Sequence, residues 1–251
     1  KVSYCLLQAP HGHDAFLVDV RHLSEVIRAF LPWVKKGAVG NAPSEVGPCA
    51  RNREFEVILD IVQPNKRVLD LGCGDGALLS LLQRERAASG VGVDIDVQSV
   101  VAVIDRGHDI FQGDIDNGLA MIPDNTYDYA IISDTLQTVR RPREVLREML
   151  RVANEGIVSF PNFGRWTHRL SLLFTGRMPR SESLPFEWYE TPNIHLFTLR
   201  DFVDICSQDG ITIRQLVCVP CCPIGQAMVA VGLRNLGADR VLARIARGRT
   251  S

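Results

Sequence analysis

The stretch LDLGCGDGALL, residues 69–79, puts Gly72, Gly74 and Gly76 at every second position. Glycine at this spacing lets the main chain turn sharply and lets a ligand approach its N–H groups without a Cβ in the way. The apolar run RVLDLG before the loop reads as a buried parallel strand, and ALLSLLQRER after it reads as a helix. That strand–turn–helix setting gives the glycines weight as a binding loop. Asp94 follows Gly76 by 18 residues and is expected to end the second strand, where a carboxylate can accept both hydroxyls of a ribose. Asp114, in QGDID, is expected to end the third strand within reach of an adenine amino group. Asp70, on the first strand, is placed near a cationic ligand group.

The spacing is not G-x-G-x-x-G, and no G-K-[ST] follows, which argues against a dinucleotide pyrophosphate and a nucleoside triphosphate. An adenosine-bearing ligand with no phosphates and a positive centre remains, which points to S-adenosyl-L-methionine (SAM) or S-adenosyl-L-homocysteine. The competing reading is a glycine loop that only makes a tight βα turn.

Other residues suggest chemistry less strongly. PHGHDAFL, residues 10–17, carries a His-Asp pair directly after a glycine, yet the chain has no G-x-S-x-G nucleophile for His13 to activate. Cys218, Cys221 and Cys222 form C-x-x-C-C without a second Cys or His pair at zinc spacing. A buried strand end explains them, and no metal site is expected. His168, Glu187 and His195 are candidate general bases or satisfied packing residues. Trp166, Phe186, Trp188 and Tyr189 suit either a substrate cage or a protein interface. Arg140, Arg141 and Arg143 make a solvated loop face or a contact to an acidic partner surface. Glu144 with Arg147, and Glu148 with Arg151, are read as surface pairs on a helix.

The elements that position these residues alternate from about residue 52: a helical face of Phe55, Ile58, Leu59 and Val62, then strands RVLDLG, GVGVDI, DIFQGD, TYDYAIIS and GIVSF with helices between. Such βα repetition predicts an α/β fold with a mostly parallel twisted sheet and helices on both faces. Residues 161–197 are longer than a normal connection and rich in aromatics and proline, as in a lid or a partner surface. Thr198 and Asp201 predict a capping box for the helix LRDFVDICSQ. ITIRQLVCVP and AMVAVGL are expected as closing strands, and the Arg-rich end, ADRVLARIARGRTS, as a frayed tail.

The motifs RVLDLGCGDGALL, ISDTLQTVRRPREVLREMLRV, IVSFPNFGRW, GRMPRSESLPFEWYETPNIH and LFTLRDF resemble the MetW family of methionine-biosynthesis proteins. The resemblance covers residues 52 to about 235 and implies a Rossmann-like class I SAM-dependent methyltransferase fold. It makes Asp70, Gly72, Gly74, Gly76, Asp94 and Asp114 the cofactor-binding set, and homoserine O-acetyltransferase the partner that this protein activates. The runner-up is a methyltransferase acting on a small molecule. VSYCLLQAPHGHDAFLVDVRHLSEVIRAFL resembles the C-terminal end of homoserine O-acetyltransferase, with His13 at the place of its catalytic base. That base is inert here without its serine and aspartate. The expected organisation is an acyltransferase remnant over 1–32, a linker over 33–51, the SAM-binding domain over 52–235 and the tail over 236–251, as the end of a fused protein.

Bulk properties agree with this reading. The 251 residues are 46% hydrophobic and carry a net charge of −1, so no global field attracts nucleic acid or an anionic membrane. Seven cysteines without a disulfide-like framework suit a reducing cytoplasm. The uncharged stretch 216–233 holds two prolines among its apolar residues, so two buried strands joined by a turn are expected rather than a membrane span.

Overall fold

The computed structural model describes residues 48–248 apart from Gly118 and Glu182, and side chains from residue 53 onward. The acyltransferase-like segment 1–32, including His13, lies outside the described residues, as does most of the expected linker. A helix begins at Pro48, inside that expected linker, and runs to Ile61 (α1).

The glycine loop joins β1 (Arg67–Leu71) to α2 (Ala77–Arg86). β2 (Ser89–Asp94), α3 (Val97–Asp105) and β3 (Asp109–Gln112) follow. Next come β4 (Tyr127–Ser133), α4 (Pro142–Val152) and β5 (Ala153–Pro161). The 161–197 insertion contains α5 (Trp166–Thr175). The chain closes with α6 (Leu199–Gln208), β6 (Ile211–Val219), α7 (Pro223–Ala230), a short α8 (Arg234–Gly237) and β7 (Arg240–Arg247).

The seven strands form one sheet in the order β3-β2-β1-β4-β5-β7-β6, with β7 antiparallel to both its neighbours and β1 to β5 parallel. Strand alternation sorts the core into two layers. Leu69, Leu71, Ala130, Ile132, Val158 and Phe160 face α4 and α6 through Leu146, Met149 and Phe202. Val68, Tyr129, Ile131 and Ile157 face α1 and α2 through Ile58, Ile61, Leu78 and Leu82. Because β1 to β5 run parallel, their C-terminal ends and the loops after them lie along one edge of the sheet. Ligands bind at that edge where strand order reverses, here between β1 and β4.

Three expectations change. AMVAVGL is not a strand: Pro223 starts α7 and the Cys222 side chain caps it. An uncharged run carries no period to separate helix from strand, and α7 with its following turn leaves Ile224, Val231 and Leu233 exposed. Residues 240–247 of the Arg-rich end are not frayed: Val241, Leu242, Ala243 and Ile245 of β7 are completely buried between β5 and β6. Two of its arginines are neutralised by partners distant in sequence: Arg240 pairs with Glu54 and Asp134, and Arg244 with Glu155. Asp114 does not end β3, which stops two residues earlier at Gln112. The capping box holds, with Thr198 Oγ accepting from the Asp201 N–H and the Asp201 carboxylate from the Thr198 N–H.

Candidate functional site

β1 delivers the glycine loop to the sheet edge, and the Gly72 and Cys73 N–H groups both donate to the Val93 carbonyl, pinning the loop to the end of β2. Gly72 adopts φ +77°, and a Cβ there would meet Thr135 Oγ1 at 2.5 Å. Only glycine fits where the β1 and β4 loops touch. Gly74, at φ +53°, has nothing within 4 Å of a would-be Cβ, so its face is open. At Gly76 a Cβ would meet Val103 Cγ2 at 3.0 Å, which sets how closely α2 approaches α3.

Asp94, the last residue of β2, accepts the Gly74 N–H at 2.8 Å and the Asp96 N–H at 2.9 Å. These bonds orient the carboxylate and tie the glycine loop to it. Asp96 in turn caps α3 by accepting from the Ser99 N–H, which holds its carboxyl below the usual range. Asp114 accepts the Asp116 N–H at 2.9 Å, and Asp116 accepts the N–H groups of Arg140 and Arg141. Local main-chain donors thus fix a series of carboxylates along the sheet edge.

Gly72, Asp94, Asp96, Gly113, Asp114 and Asp134 help line a cavity of about 610 Å³. Thr135, Thr138 and Val139 extend it past β4, and Pro192 and Ile194 of the insertion reach its rim. Of the expected cofactor set, Gly72, Asp94 and Asp114 meet on this wall. Asp70 does not line it: its side chain is 2% exposed, and its charge helps raise the Cys73 thiol behind burial of that sulfur. Cys73 acts as a filler, since its Sγ would lie 2.6 Å from a Cβ on Gly92.

Beside the cavity lies an arrangement that the sequence did not signal. Asp134 follows β4 in left-handed backbone, φ +52°, a strained conformation for an aspartate. Arg240 holds its carboxylate at 2.6 Å and also donates to Glu54 at 2.6 Å. Ser133 and Ser159 donate their hydroxyls to the same Glu54 oxygen. Burial works against the Arg240 charge, and Asp134 and Glu54 more than offset it, so its pKa is raised. Asp134 and Thr135 were findable as residues just past a strand at the ligand edge. Glu54 and Arg240 had no local signal.

The candidate bases fall elsewhere. His168 is buried beside Phe163, and burial, then Arg165, lowers its pKa. The Ile194 and His195 N–H groups donate to the Gln137 carbonyl, which anchors the insertion at the cavity rim. Glu187 pairs with Arg180, while Trp188 and Tyr189 stack edge to face in solvent. Arg143 and Arg147 both bind Asp209, so Arg147 is not the partner of Glu144, which takes Arg141 instead. Glu148 and Arg151 do pair, at 2.8 Å. Among the described residues no cluster of three or more His, Cys, Asp or Glu could hold a metal. No described helix is long and apolar enough to cross a membrane.

The family model for methionine biosynthesis protein MetW matches residues 52–232. The chain belongs to the MetW family. A bifunctional methionine biosynthesis protein MetXA/MetW from Rhodopirellula baltica is 33% identical over 228 residues, 86% of this chain. The chain spans only 36% of the length of that relative. Among solved structures, a Thermotoga maritima SAM-dependent methyltransferase, described as a possible histamine N-methyltransferase, superposes with TM-score 0.58 at 16% identity, covering 91% of this chain and 97% of that one. Phosphoethanolamine N-methyltransferase 2 of Haemonchus contortus, solved with SAM, gives TM-score 0.56 at 14% identity over 80% of this chain and 53% of its own. The MetW-family domain therefore has the class I SAM-dependent methyltransferase fold.

Proposed function

We propose that this MetW-family domain binds SAM, or S-adenosyl-L-homocysteine, at the β1–β4 edge and acts as the activating partner of a homoserine O-acetyltransferase. The observation that carries the cofactor assignment is the cavity, where Gly72, Asp94 and Asp114 share one wall. The residues fit the group. Gly74 and Gly113 leave open space where any other residue would place a Cβ. Asp94 is oriented for ribose hydroxyls, Asp114 sits at the adenine side, and the acidic wall suits a cationic ligand. When bound, SAM supplies an electrophilic methyl group and a positive sulfonium. The chain's own residues bind it, orient it and exclude water.

The partner assignment rests on the relative that carries MetXA and MetW in one polypeptide, since fusion raises the effective concentration of modules that act together. SAM is the end product of methionine metabolism, so a domain that binds it can adjust homoserine acylation to supply. A cytoplasmic location accords with a biosynthetic family. The test reconstitutes the acyltransferase with this chain and follows homoserine acylation with and without SAM. Stimulation that responds to SAM supports the reading. An unchanged rate overturns the activator role, and SAM binding unaltered by Asp94→Ala overturns the site.

A second reading is favoured by Asp134: a strained carboxylate, fixed by Arg240, lines the cavity beyond the glycine loop. That is a suitable place to hold the acceptor of a small-molecule methyltransferase. Release of S-adenosyl-L-homocysteine dependent on an added small molecule, and lost in Asp134→Asn, would support it.

A further inference from the structure

The cofactor cavity leaves the C-x-x-C-C run unused. β6 ends at Val219, and Cys221 and Cys222 form the turn into α7. Cys222 is the cap of that helix, its Sγ accepting the Gly225 N–H at 3.4 Å. Oxygen-bearing side chains normally fill this position. A neutral thiol is a weak acceptor there, whereas a thiolate gains from the N–H and from the positive end of the helix. Three more groups act on the sulfur: the Cys221 thiol and the Trp166 indole beside it, and the positive charge of Arg165. Trp166 Nε1 is buried and makes no hydrogen bond of ordinary geometry, so an anionic sulfur would supply the acceptor it lacks. Cys221 is exposed, and both cysteines are free.

We propose that Cys222 and Cys221 form a reversible thiol switch toward hydroperoxides, with Cys222 as the nucleophile and Cys221 as the resolving thiol. The Cys222 thiolate attacks one peroxide oxygen; the S–O bond forms, the O–O bond breaks, and the departing hydroxide is protonated to water. Cys221 sulfur then attacks the resulting sulfenic acid. The S–S bond forms, the S–O bond breaks, and hydroxide leaves with the Cys221 proton as a second water. Two thiols are oxidised and one peroxide is reduced. Their surroundings separate the two roles. The Gly225 N–H, first of several causes, lowers the Cys222 thiol. Desolvation, then Asp239, raises that of Cys221 against the opposing charge of Arg165. Neighbouring Cα atoms lie about 3.8 Å apart, less than the roughly 4.4–6.8 Å that a relaxed disulfide spans. The bond is therefore strained and readily reduced, as a switch requires.

The location gives the switch leverage. Arg165 and Trp166 start α5 of the insertion, and Arg165 is held by Asp239 next to Arg240. Oxidation removes the α7 cap at the junction that seats the insertion, whose Pro192 and Ile194 rim the cavity.

The test maps alkylation rates of individual cysteines in the full chain with iodoacetamide across pH, then treats the protein with hydrogen peroxide. Below both thiol pKa values, Cys222 should react faster than Cys221 by about three- to fourfold per unit separating them, because a more acidic thiolate is also a weaker nucleophile. Trp166→Phe should narrow that gap. Peroxide should give an intrachain Cys221–Cys222 disulfide, lighter by two hydrogens and restored by dithiothreitol. Cys221→Ser should instead stop at a trappable sulfenic acid on Cys222. Cys222→Ser keeps a capping hydroxyl, so it should fold and lose peroxide sensitivity at Cys221. Equal alkylation of the two thiols, or peroxide chemistry that spares Cys222, overturns the proposal.

Discussion

Asp94 and Arg240 serve the two sides of the cavity in different ways. Asp94 takes its hydrogen bonds from residues 20 and 2 positions away. Arg240 donates to residues 186 and 106 positions away. The first side is an arrangement of main-chain N–H groups and short side chains within consecutive βα units. The second is a buried ion network that exists only once α1, β4 and β7 have met. The cofactor side can therefore form with its local turns, while the Asp134 side depends on completing the sheet.

This contrast makes loss of Arg240 the largest expected effect. Arg240→Leu leaves Glu54 and Asp134 close together without their cation, and stability in urea should fall by about 3–5 kcal/mol. A loss below about 1 kcal/mol would mean the network is not the long-range clamp described. Next comes Gly72→Ala, which forces a Cβ against Thr135 in left-handed backbone. It should cost about 1–3 kcal/mol of stability and abolish SAM binding in calorimetry. Gly113→Ala separates binding from folding, because nothing lies within 4 Å of the new methyl. Thermal stability should stay within about 0.5 kcal/mol while SAM affinity drops. Unchanged affinity would remove Gly113 from the site.

The histidines sharpen the same comparison through pH. His108, on the cofactor side, is depressed by burial, then by Arg106, and shares a 2.7 Å hydrogen bond with Ser80. His168, on the insertion side, is depressed by burial, then by Arg165. A folded pKa below the unfolded value means that the unfolded chain binds more protons. Both residues therefore contribute stability above pH about 6.5 that is lost as pH falls through their folded values. His168→Phe should flatten this acid loss, measured by denaturant midpoints from neutral pH downward. His108→Phe should flatten it too, but lose the Ser80 bond, about 1 kcal/mol. The smallest effect belongs to the exposed Arg106–Asp75 pair: Arg106→Ala should change stability by about 0–1 kcal/mol, and by less in high salt.

The contrast also explains what could be read beforehand. α2 emerged with the bounds of ALLSLLQRER because a glycine loop, a leucine period and a charged end all agree there. The capping box of α6 was readable because it spans four residues. AMVAVGL reads as a strand in sequence but is helical in part, since its apolar residues have no period and the start signal of α7 is an unusual cap, Cys222. RVLARIAR carries no local strand signal because the carboxylates that neutralise Arg240 and Arg244 lie far away in sequence.

By itself the sequence determined the βα rhythm, the glycine loop and the place of Asp94 at the end of β2, since hydrophobic period and turn chemistry act over a few residues. Tertiary structure alone decided that Asp134 is bent into the cavity, that Asp70 is withdrawn from it, and that Glu54 and Arg240 meet. Those outcomes depend on which strands become neighbours. Burial and charge pairing across the finished sheet settle that, and no local pattern encodes it.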